Sequence, residues 1–234
     1  MQKLLNPSLA YLALIYSSLS FAGGPLVLEG TSGNTPVTYL DSNITLDVEN
    51  GDLGALSNAA ADTLVQQALN LWNNVPTSTV ILSLNSASIN LDIDETNYEN
   101  YIPANNSATP KPNDALNPLI YDNDGSIIDA FFGVQSSNIL GFAASSVFIG
   151  HDYFEEGFVV INGSDFGYTD AQYVLLFAHE IGHFFGLDHS QVQVEMGTFS
   201  KAYGTIGGHI SGSMDLVTFS WNKSSTWLLS ASPP

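Results

Sequence analysis

The chain has 234 residues, 44% of them hydrophobic, which is enough to bury a core of one domain. Its 23 Asp and Glu face four lysines and no arginine, for a formal net charge of -19, so nothing here neutralises a run of phosphates, and nucleic acid and anionic membrane surfaces are excluded as partners. The absence of cysteine removes disulfides, a lipoprotein anchor and thiolate ligation of a metal.

Residues 1–22 carry Lys3, an apolar stretch that includes residues 9–16, and the small-x-small ending Ser20-Phe21-Ala22, the pattern of a secretory signal cleaved before Gly23. The expected product is a single domain over 23–234, secreted or periplasmic, monomeric and without a membrane segment after cleavage. Whether Gly23 to about Asn50 is an inhibitory propeptide stays open. Short strands are expected at Val37–Leu40 and Ile44–Val48. Apolar residues at helical spacing predict a helix from Ser57, its cap, to Trp72. Val80–Leu84 reads as a strand, and the polar stretch 92–112 as an exposed loop with solvated acids.

Tyr121-Asp122-Asn123-Asp124-Gly125-Ser126-Ile127-Ile128-Asp129 places hard oxygens around a tight bend. Asp122, Asp124 and Asp129, joined by acids of the turn Asp152–Glu156, are candidate calcium ligands; the alternative is a plain Asp-Gly turn. Ile139–Ile149 and Phe158–Asn162 read as strands on either side of that acidic turn. Thr169, with Gln172 three residues on, forms a capping-box signature, and Asp170 suits the helix N-terminus that follows.

That helix carries the most specific signal. Residues 179–190 read H-E-x-x-H-x-x-G-x-x-H-S. His179 and His183, four apart, lie on one helical face and can offer imidazole nitrogens to one cation. Gly186 can adopt a positive φ, turn the chain out of the helix and return His189 as a third ligand. Three neutral imidazoles with one open position describe a catalytic zinc site rather than a structural one.

On these residues the chain resembles the metzincin zinc endopeptidases, and Ser190 directly after the third histidine resembles the matrixin branch. The stretch from Val65 to Trp72, running into Val75-Pro76-Thr77, is similar to the first helix of matrixin catalytic domains. The resemblance implies an α/β (α+β) fold. A twisted mixed sheet with an antiparallel edge strand would pack on a first helix and a central zinc-binding helix. It also implies hydrolysis of peptide bonds in protein or peptide substrates. Zinc on His179, His183 and His189 would acidify a water, with Glu180 as general base. Leu140, Gly141, Phe142 and Ala143 would lie on the edge that meets extended substrate. A methionine turn is expected beneath the zinc, with Met196 and Met214 as candidates. Residues 191–234 depart from the family pattern, as a divergent pocket loop or an incomplete region. A competing reading is a catalytically silent secreted zinc- or calcium-binding protein that holds a surface or matrix partner.

Overall fold

The computed structural model describes Pro25, Leu28, residues 35–86, 88–102, 114–133, 139–147 and 151–187, and the backbone of 215–222. The chain divides into two compact units; the described residues all fall in the one made of Pro25–Leu187 and His209–Pro234. The other, Met1–Gly24 with Asp188–Gly208, lies outside them.

Six strands form one mixed sheet: β1 (Asn43–Val48), β2 (Ile81–Asn85), β3 (Pro118–Asp122), β4 (Ile139–Val147), β5 (Glu156–Asn162) and β6 (Asp215–Asn222), in the order β2-β1-β3-β5-β4-β6. The pairs β1–β2, β1–β3 and β3–β5 are parallel; β4 runs antiparallel to β5 and to β6. Parallel strands are covered on both faces, and their sequences show it: every residue of β3 and β5 is buried, including apolar runs where alternation would be expected of a half-exposed strand.

Helix α1 (Asn58–Asn73) and helix α3 (Asp170–Phe184) cover one face, where Ala61, Leu64, Val65, Ala68 and Leu69 of α1 meet Tyr173, Leu176, Phe177 and Ile181 of α3 over Leu46, Leu119 and Val159. The opposite face is covered by the seven-residue helix α2 (Ser126–Phe132) and by Ile89, Ile93, Tyr98 and Ile102, which pack on Ile120, Phe142, Phe158 and Val160. The mixed sheet on a first and a central helix is the expected fold class. Two local expectations change. The stretch after Asp92, read as an exposed loop, is apolar enough at Ile93, Tyr98 and Ile102 to close the second core. Residues 37–40 form no strand; they pair only through an isolated bridge from Tyr39 to Phe154.

Glu49 ties the sheet to that second layer. Its buried carboxylate accepts from the backbone N–H of Gly51 (3.1 Å), Ile93 (2.6 Å) and Tyr121 (2.7 Å). Burial pushes its pKa up to about 7 against the pull of these three donors, with nearby Asp92 adding to the rise.

Candidate metal centre

Helix α3 starts as its sequence requires. The Thr169 side chain accepts from Gln172 N, and the Gln172 side chain accepts from Thr169 N at 3.0 Å, completing the capping box. Apolar residues then seat the helix against the sheet, and the indole Nε1 of Trp72 donates to the Ala178 carbonyl across 2.9 Å, fastening α1 to it just before His179.

His179 and His183 converge. Their Nε2 atoms are 3.1 Å apart, with the rings 4.6 Å apart and nearly perpendicular. Two nitrogens held about 2.0–2.1 Å from one zinc at a tetrahedral angle are about 3.3 Å apart, so the spacing suits shared ligation. Nδ1 of His183 lies 2.7 Å from the Leu187 carbonyl. A carbonyl only accepts, so Nδ1 carries the proton and Nε2 is the coordinating nitrogen, the outer-shell arrangement that orients a ligating histidine.

Glu180 is the second sign of a site. It is fully buried, and neither carboxylate oxygen has a hydrogen-bond partner among the described residues. Burial alone pushes its pKa well above the usual carboxylate range. An unpartnered buried carboxylate costs several kcal/mol, and folds retain one where it has chemistry to do or a cation to face. Gly141 makes room for it: a Cβ there would meet Glu180 Cγ at 3.1 Å and the Val160 carbonyl oxygen at 2.8 Å. These observations fit a zinc ion on His179 and His183.

The chain leaves α3 through a Schellman turn. Gly186, at φ +91°, donates to the His183 carbonyl at 2.9 Å, and Leu187 N donates to the Gly182 carbonyl at 3.0 Å. The positive φ expected of Gly186 is therefore present. His189, with Ser190, Met196 and Met214, lies outside the described residues.

The Asp-Gly loop does not gather the oxygens expected of it among the described residues. Asp122 is buried, and its Oδ1 accepts from Gly125 N and Ile127 N while Oδ2 accepts from Ile128 N, at 2.9–3.1 Å. It anchors the start of α2, while Asp124 and Asp129 are exposed. In the acidic turn, Glu155 pairs with His151, and Glu156 accepts from Ala115 N at 2.5 Å. Among the described residues no group of three or more His, Cys, Asp or Glu is placed to hold a metal. The expected substrate edge lies inside the sheet among the described residues. Leu140, Gly141, Phe142 and Ala143 are buried in β4, which has β5 on one side and β6 on the other, and β6 is the last strand on that side among the described residues. Leu187, whose carbonyl orients His183, was not legible as a site residue beyond the hint of the motif spacing around Gly186, and Gly141, expected on the substrate edge, was not legible as the residue that accommodates Glu180.

The sequence model of the Metallo-peptidase family M12B Reprolysin-like matches residues 59–190. Curated relatives match short pieces: Serine palmitoyltransferase 3 of Homo sapiens is 42% identical over 69 residues, covering 24% of this chain and 12% of that protein. An 8-amino-7-oxononanoate synthase of Symbiobacterium thermophilum is 44% identical over 50 residues, covering 21% of this chain and 12% of its own. The chain spans about a tenth of the length of these relatives. No solved structure matches. The family match runs from the first helix through the paired histidines to Ser190, and with it the chain belongs to the M12B reprolysin-like metallopeptidases, enzymes of the metzincin kind.

Proposed function

We propose that the chain is a secreted zinc endopeptidase in which His179, His183 and His189 hold the metal and Glu180 is the general base. The observation that carries this reading is the juxtaposition, on one helix, of two converging imidazoles and a buried carboxylate with no hydrogen-bond partner among the described residues. When bound, zinc supplies Lewis acidity to the scissile carbonyl and to the attacking water. Glu180 Oε takes the proton from that water and returns it to the leaving amine, and the raised pKa that burial gives the carboxyl suits a group that must hold a proton between the two events. The Leu187 carbonyl keeps His183 in one tautomer throughout.

Secretion rests on the signal pattern of residues 1–22. The matrixin branch has the support of Ser190 and of the first-helix stretch from Val65 to Thr77, whereas the reprolysin-like match spans 59–190. The test is a fluorogenic peptide library with zinc-loaded protein. Cleavage that a chelator abolishes, and that Glu180→Gln lowers by about 10²–10⁴-fold while zinc stays bound, supports the reading. Failure of the zinc-loaded protein to cleave any member refutes it and favours a silent zinc-binding protein.

A further inference from the structure

The C-terminal turn of α3 is held by residues far away in sequence. Its last four carbonyls belong to Ile181, Gly182, His183 and Phe184, and all four have partners. The first three accept from Phe185, Leu187 and Gly186. Phe184 O accepts instead from the hydroxyl of Ser145, on β4. Ser145 Oγ is also 3.0 Å from the Tyr39 hydroxyl. A serine has one hydroxyl proton, and here Phe184 O takes it, so the Tyr39 hydroxyl is the donor to Ser145. The phenol is fit for that task, since burial raises its pKa far beyond the ordinary tyrosine value.

Packing fixes the same residue. The Tyr39 ring lies 5.1 Å from the Phe184 ring and 5.7 Å from Phe154, centroid to centroid. Gly157 leaves the space: a Cβ there would meet the Tyr39 hydroxyl at 2.5 Å and Phe184 Cδ2 at 2.7 Å. Phe154 N donates to the Thr38 carbonyl at 2.9 Å, and the Phe154 ring borders Gly186, where a Cβ would meet its Cε2 at 2.7 Å. Farther out, Pro25 pairs with Leu187, the residue whose carbonyl orients His183.

We infer that Tyr39 is a positioning residue of the metal centre: through Ser145 it holds the end of α3, and with Phe154 it seats the exit turn that carries the Leu187 carbonyl to His183. The segment around it acts as a strap across that turn. This rests on the zinc reading of the site.

The experiment measures zinc dissociation constants by chelator competition on the purified full chain, together with the thermal midpoint of the metal-free protein. Tyr39→Phe keeps the ring between Phe154 and Phe184 and removes the hydroxyl; Ser145→Ala removes the link to Phe184. Loss of a group bonded directly to a ligand weakens metal binding by about 10–100-fold, and Ser145 acts one bond further out, so Ser145→Ala should weaken it by up to about 10-fold, with a smaller loss for Tyr39→Phe. The double variant should bind zinc no worse than Ser145→Ala, because the two hydroxyls act in series. Ile120→Val, in the core on the opposite sheet face, should lower the midpoint with zinc affinity unchanged. Wild-type affinity in Tyr39→Phe and in Ser145→Ala, or in Tyr39→Phe alone where Ser145→Ala does not fold, would overturn the positioning role and leave the zinc reading standing. A wild-type protein that binds no zinc would overturn both.

Discussion

The imidazole Nδ1 of His183 donates to the carbonyl of Leu187 across 2.7 Å, so one residue on the last turn of the metal helix is oriented by another just beyond it. The proposed ligand and its orienting group are therefore four residues apart in the chain and move together. A protein that binds metal only when folded gains stability with free metal by mass action. Zinc should raise the melting temperature of the wild type, and His183→Ala should abolish that shift and leave metal content by elemental analysis far below one equivalent. A retained shift would place the metal elsewhere.

Gly186 makes that turn possible at φ +91°, with the Phe154 ring where a side chain would stand. The left-handed conformation alone costs an alanine about 1–2 kcal/mol, and displacing the ring adds to it. Gly186→Ala should lower unfolding free energy by about 2 kcal/mol or more in urea titration and weaken zinc binding as well. A loss under about 0.5 kcal/mol would show that the turn relaxes freely.

Glu49 predicts a pH dependence. Its carboxyl ionises near 4.5 when free and near 7 in the fold. Below pH 4.5 both states keep the proton, and nothing is lost; as pH rises through 7 the folded state must give it up against burial. Its contribution therefore falls between pH 4.5 and 7, by up to about 3 kcal/mol, and is level above. Glu49→Gln cannot ionise and leaves one backbone N–H facing an amide NH₂. The variant should be less stable than wild type at pH 5 and should close much of that gap by pH 8. A pH-independent difference in urea midpoints would contradict the assignment.

Asp122 spends its oxygens on three backbone N–H groups at the start of α2. Asp122→Ala should cost about 2–3 kcal/mol, because buried donors lose their acceptor. Calcium or its selective chelation should leave the wild-type melting temperature in place. A calcium-dependent stabilisation that Asp122→Ala removes would place the ion in this loop.

How far the sequence could be read depended on whether the signal was local. The capping box at Thr169 and Gln172, the helix from Ser57 and the strands around Leu46, Leu82 and Val160 depend on neighbours in sequence, and all appear where expected. Asp122-Asn123-Asp124-Gly125 was ambiguous because the same oxygens that suit calcium also suit the free N–H groups of a helix start, the use the structure shows for Asp122. The role of Ser145 was beyond reach, since its partners Tyr39 and Phe184 lie 106 and 39 residues away and a serine within an apolar strand advertises neither.

The order of the strands also bears on how the protein reaches its native state. Asn43 pairs with Ile81, Asp47 with Pro118 and Leu119 with Val159, so each parallel contact at the heart of the sheet closes a loop of about 40 to 70 residues. Such closures lose chain entropy before any pairing compensates, which makes the sheet the slow step of folding. Helix α3 follows all of these strands except β6 and needs their assembled face to pack against. Zinc thus meets a scaffold already in place: refolding rates should be insensitive to the metal, while unfolding slows in its presence, and the ion acts as a kinetic lock on the finished protein rather than as a template for its formation.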